Sequence, residues 1–131
     1  MTPQAAIRTS KDGRSPVVLV VEDEPMVREM IVEELSDLGF HVIEAETGEA
    51  GLEILNREAA IDVLFTDIRL PGSLDGWHLA QAGRALSPEL RVVYATGYTV
   101  ERSMQLAGSV FVTKPYRPSV IADTIRSLLA G

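Results

Sequence analysis

Ile61-Asp62-Val63-Leu64-Phe65-Thr66-Asp67 is a short apolar run that ends on an acid, and its reading decides the fold. The run is nearly continuous and rich in β-branched and aromatic side chains, the pattern of a strand covered on both faces. Val17-Val18-Leu19-Val20-Val21, Val92-Val93-Tyr94-Ala95 and Val110-Phe111-Val112-Thr113 have the same character. Each is followed at once by reactive groups: Glu22-Asp23, Thr96 and Lys114-Pro115. If the runs are parallel neighbours, these groups and Asp67 meet at one edge. In open α/β sheets ligands bind beyond the carboxyl ends of the strands.

Helical patterns separate the runs. Pro25 opens the first helix, which turns Val27, Met30, Ile31, Leu35 and Leu38 inward until Gly39 and carries Arg28, Glu29 and Glu33 outside. Phe40 to Glu44 reads as a weaker strand, followed by a helix from Thr47, a suitable N-cap, to about Glu58. After Asp67 a loop rich in Gly and Pro, 68–76, precedes a helix from Trp77 to Leu86. Leu90 to Ala95 forms the fourth strand, a short helix spans Val100 to Leu106, and Gly108 starts the fifth strand. The last helix follows Pro118 and presents Ile121, Ile125, Leu128 and Leu129 on one stripe.

This alternation predicts an α/β fold, a flavodoxin-like (βα)5 doubly wound parallel sheet with strand order 2-1-3-4-5. Glu22, Asp23 and Asp67 then lie at neighbouring strand ends, with Thr96 and Lys114 on the other side of Asp67. Three carboxylates, a hydroxyl and an ammonium suit a divalent cation plus a phosphoryl group. Mg²⁺ in particular takes a few carboxylates together with waters and phosphate oxygens. Asp67, with an ordinary pKa of ~3.9, needs no separate base to act as a nucleophile.

Composition sets the outer limits. A chain of 131 residues, 46% hydrophobic, is long enough for one core and one domain. Residues 1–15, with Arg8, Lys11 and Arg14 among Ser, Thr, Pro and Gly, read as a flexible lead, and 16–131 as the domain. No apolar stretch approaches the ~18 residues of a membrane span, so a cytoplasmic protein is expected. The chain has no cysteine, which excludes disulfides, thiolate metal sites and thiol catalysis. A net charge of -7 argues against a nucleic-acid backbone binder and for protein partners.

From about Pro16 onward the chain resembles the receiver domain of two-component response regulators, and a stand-alone, single-domain regulator in particular. An acidic pair, a lone Asp, a Thr and Lys-Pro after strands one, three, four and five carry the resemblance together. It implies that Asp67 is the phosphoacceptor. Glu22, Asp23 and the Arg69 carbonyl would then bind Mg²⁺ with it, and Thr96 and Lys114 would contact the phosphoryl oxygens. It further implies a switch in which Thr96 turns toward the phosphoryl group and Phe111, the aromatic on strand five, repacks the face made by helix four, strand five and the last helix; plain core packing is the alternative reading of Phe111. That face can also form a homodimer. Arg69 and Tyr98 occupy the positions that shape phosphate lifetime in the family.

The implied donor is a histidine kinase or histidine phosphotransfer protein, and the output is binding to a downstream protein or passing the phosphoryl group on. Such a protein is a self-phosphorylating and self-dephosphorylating acceptor, not a turnover enzyme. Glu22 departs from the commoner aspartate, and the loop after Asp67 is one residue longer than usual, with Gly72-Ser73 ahead of Asp75-Gly76. The run Tyr94-Ala95-Thr96-Gly97-Tyr98 also resembles the loop of the "FAT GUY" subgroup, although Arg91-Val92-Val93 lacks its Pro-Phe start.

Other readings compete with these. A pseudo-receiver that binds without cycling is disfavoured by intact Asp67, Thr96 and Lys114. A phosphatase of the haloacid-dehalogenase type needs a second acid where Arg69 stands, and the acidic loop Glu22-Asp23-Glu24-Pro25 is a poor flavin phosphate cradle. His41 and His78 read as ordinary surface or half-buried residues, Trp77 as a cover for the sheet edge or partly exposed. Glu44, Glu46, Glu49, Glu53 and Glu58 read as a solvated helix face.

Overall fold

The computed structural model describes residues 15–58, 60–97 and 104–130. Along the chain run β1 (Val17–Val21), α1 (Pro25–Asp37), β2 (His41–Ala45), α2 (Gly48–Arg57), β3 (Val63–Asp67), α3 (Gly76–Leu86), β4 (Arg91–Thr96), β5 (Val110–Thr113) and α4 (Pro118–Ala130). The strands pair in the order β2-β1-β3-β4-β5, every pairing parallel, as the alternation predicts. Most of the lead, Tyr98 and most of the helix expected between Val100 and Leu106 lie outside the described residues.

Both faces of the sheet are covered, which is why the strand runs are continuously apolar. Val18, Val20, Val63, Phe65, Val93, Ala95 and Val112 pack against Ile31 and Leu35 of α1 and Ile121 and Ile125 of α4. Leu19, Val21, Leu64, Val92 and Tyr94 pack the other way, against Ile54 and Leu55 of α2 and Trp77, Leu79 and Ala80 of α3. Strand period two divides one run between two cores.

Local signals set the helix ends. Pro25, with its fixed φ and no N–H to satisfy, stands in the first turn of α1, and Gly39 (φ 100°) follows its end in the left-handed region. Thr47 caps α2 by accepting the Ala50 N–H at 3.0 Å. Asp75 caps α3, accepting the His78 N–H at 2.9 Å.

Strand edges fall a residue or two from expectation: β2 and β4 each start one residue later, and β5 begins at Val110 after a turn at Gly108. Met30, expected inside, is 51% exposed. At ~100° per residue it lies roughly a quarter-turn from the middle of the stripe that Val27, Ile31 and Leu35 define. Arg28, expected outside, is largely covered and folds back onto Glu22 and Glu44.

Trp77 does not cover an edge. It is buried, its ring 4.7 Å from Tyr94 and 5.9 Å from Phe111. The glutamates form no single helix face: Glu44 lies on β2, and Glu49 accepts the N–H and hydroxyl of Ser73, both at 2.9 Å. Both histidines are exposed, as expected.

Candidate functional site

β1 and β3 are in register with Val21 opposite Thr66, so Glu22 and Asp67 step off adjacent strand ends. On the other side Asp67 pairs with Ala95 of β4, and Thr96 with Thr113 of β5, one residue before Lys114. The expected groups therefore meet. One carboxylate oxygen from each of Glu22, Asp23 and Asp67 falls within 4.8 Å of the others. Lys114 Nζ stands 2.8 Å from Oδ1 and 2.9 Å from Oδ2 of Asp67. Asp67, Arg69, Ala95, Thr96, Gly97 and Lys114 line an open pocket of about 260 Å³. Asp67 is thus the wall between an acidic cluster and a pocket that Lys114 and Thr96 border.

Backbone bonds hold the edge in shape. Lys114 N–H donates to the Thr96 carbonyl at 2.8 Å and Ile68 N–H to Ala95 at 3.1 Å, fixing the ends of β5 and β3 to β4. Gly76 N–H donates to the Ile68 carbonyl at 2.8 Å. A Cβ at Gly76 would collide with the Asp67 carbonyl, so the start of α3 can press on the end of β3 only as glycine.

Burial sets the electrostatics. Glu22 is wholly buried and Asp67 is 3% exposed, whereas Asp23 faces solvent. Burial pushes the Glu22 carboxyl up to about 7, helped by the Asp67 charge and opposed by the Glu24 N–H and Lys114. Asp67 is also raised above the ordinary carboxylate value, by burial first, with the Lys114 bonds working against it. Burial alone lowers the Lys114 ammonium, but the bonds to Asp67 and the charges of Asp67, Glu22 and Asp23 leave it raised.

Three acids against one ammonium leave negative charge that a cation relieves. The donors are hard oxygens, which Mg²⁺ takes. Neighbouring ligands of an octahedral Mg²⁺ stand ~3.0 Å apart and opposite ones ~4.2 Å, so the three oxygens, within 4.8 Å of one another, must draw together to bind it. The residues fit the ion.

Three contributors were not expected. Tyr116 donates its hydroxyl to Glu22 Oε1 at 3.2 Å, and burial and the Glu22 charge raise its phenol above the usual value. Arg28 Nη1 donates to the Glu22 carbonyl at 2.7 Å, tying α1 to the acidic loop. Glu49 holds the longer loop after Asp67 through Ser73, and these bonds keep its carboxyl below the ordinary value. The spacing of Tyr116 two residues beyond Lys114 was the available signal for the first. Phe111 lies away from the acids, half-buried with its ring 5.4 Å from Tyr94. Tyr98 is outside the described residues.

Comparisons with known proteins agree with this fold. Residues 18–126 match the model of the response regulator receiver domain. The chain is 32% identical over 115 residues to a probable transcriptional regulator, ycf27, of Guillardia theta, covering 86% of this chain and 44% of that protein. It is 28% identical to the sensor histidine kinase RcsC of Salmonella typhimurium, covering 90% of this chain and 13% of that one. The chain thus spans less than half the length of these relatives. Among solved structures, a response regulator receiver protein from Sinorhizobium medicae superposes with a TM-score of 0.84 at 29% identity, covering 88% of this chain and 95% of that one. With its strand order, its acidic cluster and its Asp67–Lys114 pair in place, the chain belongs to the response regulator receiver family of two-component systems.

Proposed function

We propose that this receiver domain accepts a phosphoryl group on Asp67 and works as a phosphorylation-dependent signalling switch. One observation carries the reading: a buried Asp67 shared between a cluster of acids and a pocket bordered by Lys114 and Thr96. Glu22, Asp23 and Asp67, with the Arg69 carbonyl, would hold Mg²⁺. Bound there, the ion supplies positive charge to the oxygens of the transferring phosphoryl group.

An Asp67 oxygen attacks the phosphorus of a phosphohistidine; the new O–P bond forms as the N–P bond breaks, and the imidazole leaves. Lys114, which occupies both Asp67 oxygens at rest, releases one and turns its ammonium to the phosphoryl oxygens. Thr96 donates its hydroxyl to another. A unit charge pair at 4 Å is worth roughly 4 kcal/mol in an effective dielectric of 20, against ~1 kcal/mol net for a neutral hydrogen bond, so Lys114 outweighs Thr96.

The donor is a histidine kinase or a histidine phosphotransfer protein, in keeping with the likeness to a sensor histidine kinase. The output is a downstream protein or a second histidine, in the cytoplasm. No helix among the described residues is long and apolar enough to cross a membrane. The domain is an acceptor that turns over its own phosphate, not a turnover enzyme; Arg69 and Tyr98 set the phosphate lifetime. Phe111, packed on Tyr94 and Trp77, carries the change outward to β5 and the last helix, a face that also serves for homodimer contact.

Acetyl phosphate with Mg²⁺ tests the reading. Intact mass should rise by one phosphoryl group in the native protein and not in Asp67→Asn. An unmodified native protein, or a modified Asp67→Asn, would overturn it.

A further inference from the structure

We propose that Tyr116 is a positioning residue for the cation site, its hydroxyl aiming the Glu22 carboxylate at Asp23 and Asp67. The inference rests on the reading above that these acids bind Mg²⁺. Glu22 reaches the cluster on a side chain one rotatable bond longer than aspartate. Its carboxylate must therefore be fixed by something other than reach.

Two hydrogen bonds do so from different elements. The Glu24 N–H holds Oε2 at 3.0 Å from within the same loop, and the Tyr116 hydroxyl holds Oε1 at 3.2 Å from beyond β5. The first alone leaves the carboxylate plane free to swing about one oxygen; the second stops the swing. Each carboxylate oxygen accepts about two bonds, so beside these two donors the carboxylate keeps capacity on the side of Asp67, whose carboxyl lies beside it and where the cation would sit. The Tyr116 ring is itself fixed, standing edge-on to Phe65 at 6.0 Å, two residues before Asp67 on β3.

Glu22 and Tyr116 are matched in length. An aspartate at this position would draw the carboxylate back by ~1.5 Å, one C–C bond, and carry it out of reach of the phenol. Lys114 and Tyr116, flanking Pro115, thus hold two different acids of the cluster from one short loop. Partners that orient metal ligands in this way typically govern metal affinity by about 10- to 100-fold.

The test is a mutant cycle read by calorimetric titration with Mg²⁺ alone. Tyr116→Phe keeps the ring on Phe65 and should bind Mg²⁺ about tenfold more weakly than the native protein. In a Glu22→Asp background the same change should alter affinity by less than about twofold, because the contact is already gone. If Tyr116→Phe is too unstable to titrate, 3-fluorotyrosine at position 116 gives a second readout: its ¹⁹F signal should move on Mg²⁺ addition in the native protein and stay fixed in Glu22→Asp. Native Mg²⁺ binding with no change in Tyr116→Phe, or an equal loss in both backgrounds, overturns the role of Tyr116 and leaves the cation site standing. Absence of Mg²⁺ binding by the native protein overturns the cation site and this inference with it.

Discussion

Lys114 Nζ bridges both carboxylate oxygens of Asp67, at 2.8 Å and 2.9 Å. The two residues leave strands that are not neighbours, β5 and β3, so β4 must place both ends at one height. The resting pair has two consequences. It offsets part of the charge that burial makes costly at Asp67, and it occupies the oxygens that the proposed phosphoryl transfer has to use.

Lys114→Ala should therefore slow phosphoryl uptake from acetyl phosphate by about 100-fold at saturating Mg²⁺, the usual cost of removing one charge-stabilising donor. Time-resolved intact-mass measurement reads the rate. A rate like that of the native protein would mean that Lys114 only neutralises the resting site.

Glu22 makes metal-free stability depend on pH in the direction opposite to that of an ordinary paired carboxylate. Its carboxyl titrates near 4.5 in the unfolded chain and about 7 in the folded one, so between those values the native state binds more protons. Stability then falls as pH rises through that window and stays low above it. The raised Asp67 adds in the same sense. Without Mg²⁺, Glu22→Gln should melt several degrees above the native protein at pH 8 and level with it at pH 5. Mg²⁺ should restore the native protein at pH 8, since a ligand of the folded state raises its stability, and leave Glu22→Gln little changed. Parallel melting curves of the two proteins from pH 5 to 8 would contradict the burial of a charged Glu22.

The sheet and the members of the site were legible because strand runs, turn residues and the reactive groups beyond them repeat at each parallel strand end. Asp67, Glu22 and Lys114 needed only strand order to be brought together. Contacts that depend on side-chain reach were not legible. Arg28 projects from the outer side of its helix, but its long stem lets it return to Glu22 and Glu44. Trp77 is buried because Tyr94 and Phe111 from β4 and β5 stand opposite it, a fact no local pattern contains. Glu49 found its partner in Ser73, within the lengthened loop.

Tyr94 offers a test of the interior. The side chain is fully buried, and its hydroxyl has no hydrogen-bond partner among the described residues. The Leu106 backbone and the Ser109 hydroxyl lie nearest to it without meeting hydrogen-bond geometry, and the Ser109 hydroxyl is already given to the Leu106 carbonyl at 2.6 Å. Removing an unpartnered buried hydroxyl relieves its desolvation cost. Tyr94→Phe should raise stability by about 1 kcal/mol, read by urea unfolding with an unchanged slope. A loss of about 1 kcal/mol or more would show that the hydroxyl is bonded after all.

Gly76 and Gly97 both border the site, yet they should respond differently to alanine. A Cβ at Gly76 would meet the backbone of Asp67 and Ile68, which cannot move without shifting the end of β3. Among the described residues, a Cβ at Gly97 would meet only Lys114 side-chain carbons, at 3.7 Å and 3.8 Å, an ordinary contact distance. Gly76→Ala should therefore cost about 1–3 kcal/mol and displace the Asp67 carboxylate, the proposed phosphoryl acceptor, lowering uptake as well as stability. Gly97→Ala should stay within about 0.5 kcal/mol of the native protein. Urea unfolding of the pair checks both. Equal losses would mean that the close approach of α3 to Asp67 relaxes more easily than backbone packed on backbone allows.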